Sequence, residues 1–427
     1  MPEGDSVWEW FGFKKNPYDF LPLAVNNEDR TLFVGRKAEI PRLATQIASD
    51  TGGIIVVEGR VGVGKTSFVN VVQYDRWQSK TCLPSFQVLQ VQPNTDPIGF
   101  ILSAFSTCIG SLELSNPKET DRDPDLRSGK AMVNQMLNSG WSFSGGLNVG
   151  PLGGQAGVRK TPAPSSPLLA AMPSILSTAG KWFDATTKKL GWSKFIIPVN
   201  NLDMLDDESA ANFMNVVRDY MITFAKKGVW WVLIAKEGFI RTLENRAHRV
   251  SEVLTGPPVR LNPLSLDEVK KAIDVRVTRY GTRQDAKPPV PDEIVTWLYR
   301  LSDGEVRTIF KKLTDMIFEY HANVPSAKMM TETVARNILT GEARRRIGGL
   351  GINENWIRVL EGIASKGKVS QGEFKDYNFN SQPAFRNALE KLCYFDLLRR
   401  REVGREVLYL PTADTNLAFQ NPTTETK

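Results

Sequence analysis

Residues 59–67 read GRVGVGKTS and match the pattern G-x-x-x-x-G-K-[ST], whose residue types suit phosphate binding. Glycines let backbone N–H groups curl around phosphate oxygens, and the N-terminus of the helix that follows adds positive potential. Lys65 is expected to reach the β and γ phosphates of a nucleotide, and the hydroxyl of Thr66 to ligate Mg²⁺. The sequence therefore predicts a nucleoside triphosphate site formed by Gly59, Arg60, Val61, Gly62, Val63, Gly64, Lys65, Thr66 and Ser67.

The elements around this loop support the interpretation. The loop follows the apolar run GIIVVE and precedes the helical stretch SFVNVVQYD. Strand-like runs at residues 54–58, 86–91, 195–199 and 229–235 are separated by helical stretches. Strands that alternate with helices predict an α/β fold, in which a parallel sheet is covered by helices on both faces.

The composition is that of an ordinary globular protein, with 41% apolar and 24% charged residues in a chain of 427. The longest apolar runs are strand-sized, below the roughly 18 residues of a membrane span. The first residues, MPEGDSVWEW, lack a secretory signal pattern, so we expect a cytoplasmic protein with no membrane partner. Three separated cysteines and two isolated histidines predict neither a disulfide framework nor a zinc site.

Beyond the loop, the chain resembles an AAA+ ATPase of the type found in origin-recognition initiators and in related bacterial ATPases with a C-terminal winged helix. The segments NPYDF and LFVGRKAEI resemble the lead-in of that family, in which the residues around Arg36 lie beside the adenine. VWWVLIAKEGF resembles the sensor 1 strand, which implies that Lys236 or Glu237 lies near the γ phosphate. LSDGEVRTIF resembles the sensor 2 motif of the lid, which implies that Arg307 touches phosphate. The implied cofactors are ATP and Mg²⁺.

The segment ENRAHRV carries two arginines where this family has an arginine finger that completes the site of a neighbouring subunit. The resemblance implies that role for Arg246 or Arg249 and does not choose between them. Each could instead be a solvated charge on a helix face. A homo-oligomer is therefore one of the partners that the resemblance allows.

The segment FIIPVNNLD departs from the family's pattern at the end of a strand. There the family carries an acid that holds Mg²⁺ through water and a second acid that polarises the attacking water, but this chain has Asn200 and Asn201. An amide cannot supply the negative charge or accept the proton, so we expect ATP binding with slow or absent turnover. Asp203 is the alternative metal ligand and catalytic acid if the turn is tight, whereas the acidic residues 206–208 read more simply as a helix N-terminus.

The C-terminal segment reads as three helices followed by a β-hairpin that turns at Gly404, which resembles a winged helix-turn-helix. Residues 341–410 contain 13 Lys and Arg against 9 Asp and Glu, so the basic excess of the chain is concentrated here. The alternative is a winged helix that binds protein or acts as a structural lid. The predicted contacts to double-stranded DNA are Arg386, Asn387 and Lys391 on the third helix, and Arg399, Arg400, Arg401 and Arg405 on the wing.

These patterns divide the chain into unlike domains. The predicted fold is a P-loop NTPase core of the AAA+ type with a helical lid domain and a C-terminal winged helix. An insertion at about residues 115–167 is rich in Gly, Ser and Pro, and we favour a solvated loop there over a partner-binding element or a hairpin at residues 141–149. The boundaries are 1–30 for the lead-in, 31–263 for the core, 264–340 for the lid, 341–353 for a linker, 354–411 for the winged helix and 412–427 for a flexible tail.

The favoured function is an ATP-dependent DNA-binding switch whose lid closes through Lys65 and Arg307. One alternative is an active remodelling ATPase that uses Asp203. Another is an ATP-gated signalling scaffold whose winged helix binds protein. The process served stays open among replication initiation, transposition, plasmid maintenance, regulation and phage defence, because the architecture alone does not decide it.

Overall fold

The chain forms two compact units. The computed structural model describes residues 6–138, 166–283, 285–324, 329–403 and 406–420. We call Pro22–Asn262 the P-loop unit, and Met1–Leu21 together with Pro263–Lys427 the terminal unit. The chain therefore crosses between the units twice, once at each end of the P-loop unit.

One parallel sheet lies at the centre of the P-loop unit. Its strands are β1 (Gly53–Gly59), β2 (Leu83–Pro84), β3 (Leu89–Gln90), β4 (Phe195–Asn200), β5 (Val229–Ala235) and β6 (Val259–Leu261). They stand in the order β2-β4-β5-β1-β6, β3 also pairs with β4, and each of these pairings is parallel. The predicted α/β class with a parallel sheet is confirmed.

Helices fill the connections between these strands. The helix α1 (Val7–Trp10) comes first in the chain and belongs to the terminal unit. The helices of the P-loop unit are α2 (Asn27–Leu32), α3 (Glu39–Ser49), α4 (Lys65–Gln78), α5 (Pro97–Ser115), α6 (Pro124–Asn138), α7 (Ser166–Leu190), α8 (Asp207–Ala225), α9 (Phe239–Arg246) and α10 (His248–Ser251).

The strand β1 shows how both faces of the sheet are buried. Ile54 and Val56 belong to the apolar cluster that contains buried residues of α5 and α8, whereas Ile55 and Val57 belong to the cluster that contains residues of α3 and α4. Every residue of β1 and β5 is buried. Strands covered on both faces are apolar nearly throughout rather than alternating, which explains the runs seen in the sequence.

The helix α5 is apolar because it is a core helix. Among the described residues it is the one helix that is long and apolar enough to cross a membrane by length and composition, but 67% of its most apolar window is buried inside the fold. The ring of Phe100 lies 5.2 Å from that of Phe213 in α8, and the ring of Phe105 lies 5.5 Å from that of Trp182 in α7. Packing in the core accounts for the composition of this helix.

The strand predicted at residues 86–91 is shortened to β3 (Leu89–Gln90), and a second short strand, β2 (Leu83–Pro84), lies before it. The backbone N–H of Ser85 donates to Oε1 of Gln73 on α4 at 2.7 Å, and the ring of Phe86 packs edge-on against Trp77 of the same helix at 5.2 Å. The N–H of Ser85 also donates to the carbonyl oxygen of Ile196 on β4 at 3.1 Å, so Ser85 is bonded to both α4 and β4 in the segment between the two short strands.

The insertion predicted as a loop at about residues 115–167 contains the helix α6. Asp123 begins it, because its Oδ1 accepts from the backbone N–H groups of Asp125 and Leu126. Leu126 and Val133 are buried in the core of the P-loop unit. The hairpin suggested at residues 141–149 lies outside the described residues.

The terminal unit combines helices with a small antiparallel sheet. Its strands β7 (Val369–Ser370), β8 (Leu398–Val403) and β9 (Glu406–Pro411) stand in the order β7-β9-β8. Its further helices are α11 (Leu266–Tyr280), α12 (Asp292–Leu301), α13 (Val306–Asn323), α14 (Glu332–Gly349), α15 (Glu354–Lys366), α16 (Gln382–Tyr394) and α17 (Ala413–Phe419), with a 3-10 helix at Gln371–Tyr377 between β7 and α16. The order α15, 3-10 helix, α16 and hairpin is the one predicted for a winged helix.

Two segments of the terminal unit are more ordered than predicted. Most of the linker predicted at residues 341–353 is the last part of α14, where Ala343 and Ile347 are buried. The tail predicted as flexible at residues 412–427 contains α17, and its described part is buried from residue 412 to 418. Thr415 and Asn416 donate to the carbonyl oxygens of Leu397 and Leu301, so the polar side chains of this segment serve internal hydrogen bonds.

A buried ion pair holds α17 in place. Asp414 Oδ1 lies 2.6 Å from Nζ of Lys312 on α13, and both side chains are more than 90% buried. Arg346 of α14 contacts the other oxygen of the same carboxylate. Burial lowers the pKa of Lys312, because its surroundings penalise the charged ammonium. Asp414 is therefore the counter-charge for two cations.

We expect Asp414→Ala to destabilise the terminal unit by about 3 to 5 kcal/mol, because it removes the nearer carboxylate from the buried ammonium of Lys312 and leaves only Glu342, 4.0 Å away. Chemical denaturation, followed through the helical signal, measures the change. The matched control is Asp315→Ala, which breaks the more exposed Lys311–Asp315 pair on α13 and should cost less than about 1 kcal/mol. Equal effects of the two variants would contradict the prediction.

Candidate nucleotide-binding site

The loop between β1 and α4 turns through two left-handed glycines. Gly62 has φ +79° and Gly64 has φ +88°, a region that residues with a Cβ rarely adopt. A Cβ on Gly59 would lie 2.6 Å from the backbone oxygen of Leu261 on β6. Each glycine of the motif therefore has a local reason, and the turn leaves the N-terminus of α4 at the loop, where backbone N–H groups bind phosphate.

Lys65 is held inside the loop. Its side chain is buried, and Nζ donates to the carbonyl oxygens of Gly59 at 2.8 Å and Arg60 at 2.9 Å. The ammonium is thereby fixed between the end of β1 and the start of α4. This arrangement fits the β and γ phosphates of a nucleotide, which would bring further oxygens to a cation already in place.

Asn200 is the last residue of β4 and faces the predicted metal-binding hydroxyl. Its Nδ2 lies 3.4 Å from Oγ1 of Thr66. This placement agrees with the predicted alignment of FIIPVNNLD, in which an amide stands where the resemblance implies a carboxylate that steadies Mg²⁺; the alignment stays a prediction. Among the described residues, no group of three or more His, Cys, Asp or Glu side chains could hold a metal. The oxygens that fit Mg²⁺ here are the Thr66 hydroxyl, the Asn200 amide and those of the nucleotide itself.

Asn201 turns away from the strand in a left-handed conformation, with φ +63°. Its Nδ2 lies 3.4 Å from Oε1 of Gln90, at the end of β3. Two neutral amides thus meet beside the ends of β3 and β4, where the resemblance predicted the acid that polarises water.

Asp203 lies in a short 3-10 helix, Leu202–Met204, and is half-buried. Within the described part of the chain its carboxylate forms neither a hydrogen bond nor an ion pair, so no neighbour fixes it toward the loop. The following acids have another role: Asp206 accepts from the N–H groups of Glu208 and Ser209 and begins α8. The hydrogen bond from the Ser209 hydroxyl lowers the pKa of Asp206. The predicted helix N-terminus is found here.

The residues predicted on the sensor strand and beyond it range from half-buried to exposed. Lys236 directly follows β5, and its Nζ lies 3.1 Å from Oδ1 of Asp207. Arg246 ends α9 and Arg249 lies in α10, both exposed to solvent. Their positions allow contact with a neighbouring molecule, and the finger and phosphate-sensing roles stay predictions.

Arg36 has different partners from the adenine contact predicted for its segment. It is 95% buried with φ +61°. Nη2 donates to the carbonyl oxygen of Val63 in the loop at 2.9 Å, and Nη1 donates to that of Asn262. Its guanidinium therefore links the backbone of the loop at Val63 to the backbone at Asn262.

The sequence analysis missed two side chains near the loop, Glu58 and Asn70, and a second contact of Ser67, which it had placed at the nucleotide. Glu58 precedes Gly59 and is almost fully buried; it accepts from the N–H of Ile240 at 2.7 Å, which ties β1 to the start of α9. Ser67 Oγ accepts from the N–H of Leu23 at 3.0 Å, and Asn70 Nδ2 donates to the oxygen of Leu23 at 2.7 Å. An acid at the end of an apolar strand was a visible signal for Glu58, because such a residue needs a buried partner.

The remaining predicted residues lie in the terminal unit. Arg307 is the second residue of α13. Arg386, Asn387 and Lys391 are exposed on α16, whose other face buries Phe385, Leu389 and Leu392. These placements agree with a helix that presents polar side chains to solvent.

The basic edge predicted for the wing is only partly free of internal contacts. Arg399 is not available as predicted, because its Nη2 pairs with the carboxylate of Glu305. Arg400 lies 4.0 Å from Glu390, and Arg401 is exposed. Arg405 lies outside the described residues.

Residues 17–296, about two-thirds of the chain, match the family model described as Novel STAND NTPase 1. This chain belongs to the Novel STAND NTPase 1 family. The prediction of a P-loop NTPase is thereby confirmed. No curated protein matches the chain.

Solved structures of origin-recognition proteins are similar to this STAND NTPase at low identity. The Aeropyrum pernix ORC1 protein in complex with DNA is 14% identical with a TM-score of 0.49, over 97% of each chain. The Aeropyrum pernix ORC2 protein in ADPNP–ADP complexes is 12% identical with a TM-score of 0.49, over 94% of each chain. Cdc6p from Pyrobaculum aerophilum is 11% identical with a TM-score of 0.39, over 91% of this chain and 97% of that one. Similarity at this level assigns neither a family nor an activity to the chain.

We expect Lys65→Ala to weaken ATP binding about 10- to 100-fold, because it removes charge-assisted hydrogen bonds worth roughly 1.5–3 kcal/mol. Isothermal titration with ATP and Mg²⁺ measures the affinity. The matched control is Lys181→Ala, which removes an exposed lysine of α7 and should leave the affinity unchanged. An unaltered affinity in Lys65→Ala would contradict the assignment of the site.

Proposed function

We propose that this STAND NTPase is an ATP-binding switch that hydrolyses ATP slowly and acts on double-stranded DNA through its C-terminal winged helix. The observation that carries the nucleotide part is the contact of Asn200 with Thr66 at 3.4 Å. It supports a site in which a complete phosphate loop faces an amide instead of a carboxylate.

The proposed slow turnover follows from the described side chains at the ends of β3 and β4, which include no general base beside the contact of Asn201 with Gln90. A general base must accept a proton within hydrogen-bond reach of the attacking water. Asn201 and Gln90 are amides and cannot do so. Without a positioned base a reaction loses about 10²-fold or more in rate, so the ATP-bound state would outlast each encounter with a partner, as a switch requires.

The rival function is a remodelling ATPase in which Asp203 replaces the missing acid. Its half-buried carboxylate is not engaged by other described side chains, which leaves it available. It follows Asn201 by only two residues and lies in the 3-10 helix Leu202–Met204.

We expect Asn201→Glu to raise the steady-state rate of ATP turnover by about 10²-fold, because it restores a general base at the end of β4. The double variant with Asn200→Asp should do at least as well, since it also restores charge beside the metal. Phosphate release measures the rate, with Lys65→Ala as the background.

Two further variants separate the rivals. Asn201→Gln keeps a neutral amide and should leave the rate at its original level. Asp203→Asn should change nothing if Asp203 is not catalytic. Turnover well above background that Asp203→Asn abolishes would overturn the slow-switch proposal in favour of the remodelling ATPase.

The DNA part of the proposal is supported by the exposed faces of α16 and β8. Arg386, Asn387 and Lys391 share the solvent side of α16, as expected of a helix that enters a major groove. Arg400 and Arg401 on β8 are exposed and suit phosphate contacts. A signalling scaffold would use the same faces for a protein partner, and Arg246 or Arg249 would serve contacts between subunits in either case.

We expect the double variant Arg400→Ala/Arg401→Ala to weaken duplex binding to a similar extent for all sequences, because phosphate contacts carry no sequence information. The slope of log K against log salt concentration should become shallower by about 0.9 per lost contact. Fluorescence anisotropy with unrelated duplexes measures both. Arg279→Ala, at an exposed position of α11, is the control, and an unchanged affinity in the double variant would favour the scaffold.

A further inference from the structure

Both places where the chain leaves the P-loop unit are hydrogen-bonded to the phosphate loop or to the helix that follows it. The first crossing is at Leu21–Pro22 and the second at Asn262–Pro263. The contacts that matter here lie within the P-loop unit, on residues 23 and 262.

The first crossing is held by α4. Ser67 Oγ accepts from the N–H of Leu23 at 3.0 Å, and Asn70 Nδ2 donates to the carbonyl oxygen of the same residue at 2.7 Å. Asn70 is 94% buried, and Gln73 donates to its Oδ1 at 3.2 Å, which fixes the direction of its amide. Ser67 directly follows Thr66, the predicted Mg²⁺ ligand.

The second crossing is held by Arg36. One nitrogen of its guanidinium donates to the oxygen of Val63 inside the loop, and another donates to the oxygen of Asn262. Arg36 is 95% buried and has φ +61°, a conformation that surrounding contacts must stabilise. A planar fork with several donors suits this bridge between two backbone carbonyls better than an ammonium does.

In the terminal unit, a hydrogen bond fixes the chain close to each crossing, so few residues lie between the fixed points. Before the first crossing, the oxygen of Tyr18 accepts from the Thr314 hydroxyl at 3.1 Å. After the second, the oxygen of Leu264 accepts from the Tyr299 hydroxyl at 3.0 Å. Only residues 19–22 and residue 263 separate the anchors, and Pro22 and Pro263 have restricted backbones. Such short segments take up less of a displacement than a long flexible linker would.

We propose that these two crossings are the route by which nucleotide binding in the loop reaches the terminal unit, with Arg36 and Asn70 as the positioning residues. The inference rests on the proposed nucleotide-gated switch and names its mechanical path. Phosphates that fill the loop order Val63 and the first turn of α4, and the bonds to residues 262 and 23 carry that ordering into both crossings. A ligand changes a distant segment only through such differential contacts.

Hydrogen exchange with and without ATP and Mg²⁺ tests the route, because one experiment reads three segments. Residues 59–67 report nucleotide binding itself, whereas residues 19–25 and 260–266 report the two crossings. In the unaltered protein we expect ATP to slow exchange at least threefold in all three segments.

Two variants should separate the crossings when each is measured at saturating nucleotide. Asn70→Ala removes the donor to Leu23, so residues 19–25 should lose their response while residues 59–67 keep it. Asn70→Asp keeps the size and the acceptor for Gln73 but removes the same donor, and it serves if the alanine variant is unstable. Arg36→Lys removes the fork and should abolish the response of residues 260–266. Asn212→Ala, at an exposed position of α8, should leave every response intact.

The outcomes distinguish this inference from the proposed function. No protection of residues 59–67 would mean that the loop does not bind nucleotide and that the proposed function fails. Protection of the loop with no response at either crossing would overturn the route and leave nucleotide binding in place. Crossing responses that survive in both Asn70 variants and in Arg36→Lys would also overturn it.

Discussion

The site depends on one backbone constraint: the chain must pass from β1 into α4 through left-handed residues at positions 62 and 64. Only then does α4 begin at Lys65 with its free N–H groups at the loop. The same start sets the register of the helix, so that Thr66 lies beside Asn200 while Ser67 and Asn70 reach Leu23. One loop conformation thus positions the phosphate-binding cation, the metal-facing hydroxyl and the first crossing.

The parts of this arrangement that sequence reasoning could predict are local. The loop motif, the buried strands and the Asn pair at the end of β4 are recognisable because each depends on a few adjacent residues. The partners of Arg36 are not local, since Val63 is 27 and Asn262 is 226 positions away. The contact of Glu58 with Ile240 spans 182 positions. Such contacts are set by how the sheet brings β1, β5 and β6 together, which no short pattern records.

Predictions from composition were wrong where small or polar residues are packed inside the fold. Gly129 in α6 lies within the segment interpreted as a loop, yet a Cβ there would lie 2.6 Å from the Trp182 ring, so the glycine permits close approach of α6 and α7. The threonines and the asparagine around α17 read as a solvated tail, but Thr412, Thr415 and Asn416 donate to backbone oxygens of neighbouring elements. In both cases the residues are small or polar, as the sequence shows, but their contacts within the fold place them in or next to helices and not in solvated loops.

In the ion pair between Arg399 and Glu305, the carboxylate of Glu305 competes with any phosphate for the guanidinium of Arg399. Arg399 on β8 is already neutralised by a carboxylate that is 89% buried and lies two residues before Arg307. An anion that takes this guanidinium must first displace Glu305, and the released carboxylate would then be the negative charge nearest in sequence to Arg307. A weakly bound anion would leave the Arg399–Glu305 pair intact. Only an anion that binds Arg399 more strongly than Glu305 does would gain this contact with the wing.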